Sequence, residues 1–159
     1  MITNNNLSYI DLDDFEYLNL TWVELSNNSL TFEGQMFPAV PNLKQLDLQG
    51  NRIRYIHPNA FRRLYRLERL NLAFNPMQCI PEDLFRVKTL LSLNLDDIEI
   101  ENIDVEMFSY ASKLEFVYFK KFYYCSYTPE VKNCKPTTDG KYLQNIYKIC
   151  IYEDSNNNV

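Results

Sequence analysis

The sequence predicts an α/β right-handed solenoid, curved, with short parallel strands on its concave face and loops or short helical turns on its convex side. Two observations predict it. An apolar block of the form L-x-x-L-x-L recurs along most of the 159 residues, and a column of Phe recurs at the same spacing. A fixed period of roughly 20 to 50 residues marks a chain whose units each leave an apolar face open until a neighbour stacks on it.

The block begins at residues 20, 43, 67, 90 and 114, in steps of 23, 24, 23 and 24. LKQLDLQGN (43–51) and LERLNLAFN (67–75) complete the pattern L-x-x-L-x-L-x-x-N. LTWVELSNN (20–28) carries Val23 at the second apolar site, LLSLNLDDI (90–98) ends on Ile98 in place of Asn, and LEFVYFKKF (114–122) ends on Phe122. Five blocks at so even a step define a leucine-rich repeat. In each block the apolar residues point inward from a strand and the x residues point out. Strands are therefore expected near 22–26, 45–49, 69–73, 92–96 and 116–120.

The remaining elements follow from the same period. Asn28, Asn51 and Asn75 stand where the chain leaves each strand and are read as a structural ladder that satisfies backbone groups. Phe15, Phe37, Phe61, Phe85 and Phe108 precede the next block by five or six residues and are expected to be buried in one spine. Leu18, Val40, Leu64 and Ala111 each follow such a Phe by three residues. Residues 4–18 read as the second half of a repeat, so the array is expected to start mid-repeat, without its strand half or a cap. Repeats then occupy 1–122, a cysteine-containing C-terminal cap or hinge 123–140, and a polar tail, expected to be disordered, 141–159.

Composition excludes several functions. The net charge of −5 makes a general nucleic-acid partner unexpected. A single His, His57, and three Gly leave no basis for His-centred catalysis or Gly-rich phosphate loops. There is no nucleophile–base pair and no metal-spaced cluster, so no enzyme, metal or cofactor is expected. No run of about 18 apolar residues is present, so no membrane-spanning segment is expected in this chain. MITNNNLSYI lacks the charged and apolar regions of a signal peptide. Residues 1–112 hold nine Lys and Arg against sixteen Asp and Glu, whereas 113–148 hold seven Lys against three acids. The chain changes character near residue 113.

Beyond the last block, Cys125 and Cys134 lie nine residues apart among Pro-containing loop residues. A disulfide between them is expected to close the open end of the core; two reduced thiols in a cytosolic cap are the alternative. Cys79 is read as a buried thiol in a repeat loop, and the pairing of Cys150 is left open.

The segment YFKKFYYCSYTPEVKNCKPTTDG (118–140) resembles the junction of relaxin-type leucine-rich-repeat G-protein-coupled receptors, which joins the last repeat to the first transmembrane helix. The words Tyr-Cys-Ser-Tyr, Cys-Lys-Pro and Thr-Asp-Gly carry the resemblance. It implies a cell-surface receptor at the extracellular side of the plasma membrane, signalling through G proteins. It also implies a relaxin/insulin-like peptide hormone and the rest of the receptor chain as partners. After Thr-Asp-Gly the sequence KYLQNIYKICIYEDSNNNV departs from the expected approach to a transmembrane helix, so the chain reads as an ectodomain fragment, a truncated gene model or a soluble splice form. Asn6, Asn19 and Asn27 begin N-x-S/T sequons and are candidate glycosylation sites.

The outward strand residues form three rows: Trp22, Gln45, Arg69, Ser92, Phe116; Glu24, Asp47, Asn71, Asn94, Tyr118; and Ser26, Gln49, Ala73, Asp96, Lys120. An acid-and-amide row beside a Trp suits a partner carrying Arg and apolar side chains. The resemblance implies that concave carboxylates hold hormone arginines, a role carried over to Glu24, Asp47 and Asp96 with Trp22 as apolar contact. Two other functions fit a repeat array: a secreted or matrix binding protein, and an intracellular adaptor, whose four cysteines would all be reduced.

Overall fold

The computed structural model of the chain describes residues 1–32, 34–98, 106–121 and 133–138. They form one sheet of six parallel strands in chain order: β1 (Trp22–Glu24), β2 (Gln45–Asp47), β3 (Arg69–Asn71), β4 (Ser92–Leu95), β5 (Phe116–Lys121) and β6 (Asn133–Thr138). The register follows the repeat, with Val23, Leu46, Leu70, Leu93 and Val117 aligned across successive strands. All five are buried. The return segments hold two short 3-10 turns, Leu12–Phe15 and Glu82–Arg86, and one helical turn, α1 (Glu106–Ser109). The leucine-rich-repeat solenoid expected from the period is the fold.

The first three strands are shorter than the five residues expected, yet pairing between repeats continues beyond them. Leu25 N donates to Asp47 O and Asn27 N to Gln49 O, and the same bonds recur from Leu48 and Gly50 and from Leu72 and Phe74. The chain then turns on a residue with left-handed backbone. Asn4 (φ 56°), Asn27 (φ 55°), Gly50 (φ 64°), Phe74 (φ 56°) and Asp97 (φ 50°) share this conformation, one residue before Asn5, Asn28, Asn51, Asn75 and Ile98. Asn, Asp and Gly accept it readily; Phe does not. Phe74 is also half exposed, so its ring gains little in return. Phe74→Asn should therefore stabilise the fold by about 1 kcal/mol. Urea denaturation checks this, and a loss of stability would show that the Phe74 ring contributes packing.

The ladder asparagines join neighbouring repeats. Asn51 Nδ2 donates to Leu25 O (3.0 Å) and Leu48 O (2.9 Å), while its Oδ1 accepts from Leu30 N (3.1 Å). Asn75 repeats the arrangement with Leu48 O, Leu72 O and Ile53 N. Asn28 does so with Ile2 O, Leu25 O and Leu7 N. Each amide satisfies backbone groups that the stacked loops would otherwise bury unpaired.

The Phe spine holds from the second ring onward. Phe37 stacks on Phe61 with centroids 5.7 Å apart, Phe85 lies 4.5 Å from Phe108, and Phe108 meets Phe119 edge-on at 6.4 Å. Phe15 is only half-buried and Leu18 is exposed, contrary to expectation. They stand at the start of the array, where a neighbour covers one side only. In the fourth repeat Val87 takes the place of the column residue, its carbonyl accepting from Leu90 N as that of Val40 accepts from Leu43 N.

Three further features go beyond what the repeat pattern gives. The N-terminal residues are not without a strand partner: Ile2 N donates to Glu24 O and Asn4 N to Ser26 O, extending the ladder outside β1. The stretch 123–140, expected to be a cysteine-containing cap or hinge, contains β6, with Cys134 opposite Val117. Pro136 fits there because β6 is the outer strand among the described residues, where a missing N–H breaks no further ladder. Cys79 is half-buried and disulfide-bonded, not a free thiol. It sits between the buried Met77 and Ile80 at a place the core does not seal. Cys125, and with it the expected Cys125–Cys134 bridge, lies outside the described residues, as do Phe122, Cys150 and the tail 141–159.

Candidate functional site on the concave face

Strand register places the outward residues in straight rows. Trp22 faces Gln45, which faces Arg69, then Ser92 and Phe116; Glu24 faces Asp47, then Asn71, Asn94 and Tyr118. Trp22 is 53% exposed, a large apolar surface for a residue of this size. Glu24 and Asp47 are half-buried register partners, so their carboxylates leave adjacent strands on one side. Strands are about 4.8 Å apart, close enough for one guanidinium to meet both.

The middle row also has a structural duty. Asp47 Oδ1 accepts from Gln49 N (2.9 Å), Asn71 Oδ1 from Ala73 N (3.2 Å) and Asn94 Oδ1 from Asp96 N (3.0 Å). Each is an Asx turn that steers the chain out of its strand. Asp47 Oδ2 further accepts from Asn71 Nδ2 (3.1 Å), and Asn71 Nδ2 donates to Gln49 Oε1 (3.0 Å). Asp47 is thereby held in one orientation, and each of its oxygens retains a lone pair for an incoming donor. The spacing of Asp and Asn in this row was legible; the interlocking of side chains 24 residues apart was not.

Asp96 stands apart from the other two carboxylates. It follows β4, two strands beyond Asp47, in the next row. Beside it, Lys120 Nζ pairs with Asp97. Arg69 is exposed in the outer row between Gln45 and Ser92. The acidic part of the concave face is therefore the Glu24–Asp47 end, and cations enter from β3 onward. Of the sequons, Asn6, Asn19 and Asn27 are all exposed. Asn19 Oδ1 accepts from Asn42, and Asn6 Oδ1 accepts from the hydroxyl of Ser29, the third residue of the Asn27 sequon. No helix among the described residues is long and apolar enough to cross a membrane.

A parallel ladder of short strands, an asparagine ladder and a row-ordered concave face define a leucine-rich-repeat protein-binding module. Residues 19–77 match the family described as Leucine rich repeat. Relaxin receptor 2 of Canis lupus familiaris is 54% identical over 43 residues, which are 27% of this chain and 6% of that protein. Tsukushi of Gallus gallus is 33% identical over 95 residues, 58% of this chain and 26% of that protein. Among solved structures, a chain from the Toll–Spatzle complex of Drosophila superposes with a TM-score of 0.64 at 22% identity, over 72% of this chain and 16% of that one. It speaks for the fold alone. Repeat and fold make the chain a leucine-rich-repeat region, part of which is similar in sequence to relaxin receptors. It spans a small part of the length of the relatives it matches.

Proposed function

We propose that this chain is part of the ectodomain of a relaxin-like peptide-hormone receptor of the G-protein-coupled class, and that its concave face contacts the hormone. The observation that carries the reading is the 54% identity to relaxin receptor 2, far above what a shared repeat alone requires. The Glu24–Asp47 pair beside exposed Trp22 supplies the chemistry: two carboxylates for an arginine and an indole face for an apolar side chain. Asp96 contributes less in this reading, because Lys120 and Asp97 pair beside it. The disulfide at Cys79 and the exposed sequons at Asn6, Asn19 and Asn27 agree with an extracellular, glycosylated chain and disfavour an intracellular adaptor.

The test is hormone binding to a full-length receptor carrying Glu24→Lys and Asp47→Lys, with the melting curve of the isolated chain as a folding control. The double reversal should weaken a relaxin-like peptide about tenfold or more at moderate salt, since each shielded charge-assisted contact contributes about 1.5–3 kcal/mol. Unchanged affinity in this variant and in Trp22→Ala would make the stretch a spacer between the hormone site and the membrane. A second reading, a secreted or matrix binding protein, is favoured by the longer Tsukushi match, which covers 58% of the chain. A transcript that encodes a signal peptide and no apolar segment of about 20 residues would decide for it.

A further inference from the structure

Six of the 16 Lys and Arg of this acidic chain share one side of the repeat array. Arg62, Arg63 and Arg66 lie in the loop entering β3, Arg86 and Lys88 in the loop entering β4, and Lys113 just before β5; all six are exposed. Arg63 and Arg86 occupy the same repeat position, four residues before the block, and Arg66 and Lys113 share the position one before it. The segments 16–19 and 38–42, ahead of the first two blocks, carry no cation, and Lys44, next to β2, is paired with Glu68 at 2.9 Å. Among the described residues Arg62, Arg63, Lys88 and Lys113 make no ion pair. Arg86 pairs with Asp83 at 3.2 Å and lies over the Tyr110 ring at 5.4 Å. Arg66 donates to Asn42 Oδ1 at 2.7 Å.

Between the loops entering β3 and β4 the surface opens into a cleft of about 600 Å³, within the size range of small-ligand sites. Arg62, Arg86 and Lys88 line it together with Tyr65, Thr89 and a single carboxylate, Asp83. Tyr65 is 67% exposed and Tyr110 51%. Exposed rings beside cations offer a flat apolar face next to donors for an anion.

We propose that this strip binds a sulfated polysaccharide, with one sulfated sugar unit in the cleft and the chain running across the loops entering β3, β4 and β5. The repeat supplies the geometry. Successive loops follow the period of the sheet, about 4.8 Å per strand and more on the convex side, so a linear polyanion crossing them meets cations in every loop. A single small anion would need one enclosed donor cluster, not a row. The chemistry of the ligand follows from the lining: sulfates to the guanidinium and ammonium groups, a sugar ring against Tyr65, hydroxyls to Thr89. The disulfide at Cys79 belongs to an oxidising compartment, where sulfated polysaccharides are the abundant polyanions. The net charge of −5 opposes a long nucleic acid, which would extend beyond the strip onto acidic surface.

The experiment is calorimetric titration of the full chain with a size-defined heparin decasaccharide at low and moderate salt. Binding should weaken as salt rises, because neutralised sulfates release counterions. Arg63→Glu with Lys88→Glu should reduce affinity about tenfold or more. Arg52→Glu with Arg54→Glu, an equal charge change at exposed residues on the strand-exit side, should reduce it by less than about threefold. Circular-dichroism melting of both variants confirms folding, and Arg63→Gln with Lys88→Gln replaces the first should it fail. Equal weakening by the two pairs would overturn the site. So would absence of binding at low salt, or equally tight binding of desulfated heparin, polyglutamate, single-stranded DNA or anionic phospholipid vesicles.

Discussion

Phe85→Ala should cost about 3–5 kcal/mol of folding stability. Phe85 is fully buried, lies 4.5 Å from the Phe108 ring, and belongs to the column that fills the space between the sheet and the convex loops. Removing the ring deletes its transfer free energy and leaves a cavity that rigid neighbours on both sides cannot close. In a solenoid the loss does not remain local, because each repeat is stable only on its neighbours. Denaturant unfolding followed by far-ultraviolet circular dichroism reads the effect. A loss below about 1 kcal/mol would mean that the spine is not the filling of the core. Phe15→Ala is the internal comparison: its half-buried ring stands at the start of the array and should cost clearly less.

Asn51→Ala should be nearly as damaging, by about 3–5 kcal/mol, for a different reason. The substitution creates little apolar void. It strips hydrogen bonds from Leu25 O, Leu48 O and Leu30 N, all provided by one buried amide. An orphaned buried backbone group costs about 1–3 kcal/mol, and the three losses fall on two adjacent repeats at once. Asn51→Asp separates the contributions: it retains the acceptor for Leu30 N and loses the donor to both carbonyls, so it should be destabilising as well. Near-native stability of Asn51→Ala would assign those carbonyls to water. Ile98 occupies the equivalent place in the fourth block, so the ladder ends there and the same test on that block has no amide to remove.

The candidate site was legible only in part. Glu24 and Asp47 could be placed side by side because the sheet register follows the block register, and a period of 23 or 24 residues carries both. Their surroundings could not. Whether Asp47 is held by Asn71 depends on side-chain reach between repeats, and the separation of Asp96 depends on where the strands end. The basic strip was hidden by averaging, since Arg62 to Lys88 fall within residues 1–112, acidic as a whole, and only the shared loop positions of Arg63 with Arg86 and of Arg66 with Lys113 show a basic side.

The sequence by itself determined the period, the parallel order of strands, the inward set from Val23 to Val117, the asparagine ladder and most of the Phe spine. The physical reason is that stacking forces every repeat to bury the same positions, so the constraint is written repeatedly along the chain. What occurs once, or is met by several residue types, was decided by the tertiary structure. The left-handed turn before each ladder position is filled by Asn, Gly, Phe or Asp, so no residue type betrays it. The pairing of Ile2 and Asn4 with the edge of β1 uses backbone atoms that any residue provides. The half-burial of Phe15 follows from having one neighbour and not two, and the oxidised state of Cys79 depends on which sulfur the fold brings to it. Side-chain chemistry repeated with the period can be read from the chain; contacts made by backbone, by chain position or by a single pair exist only once the repeats have stacked.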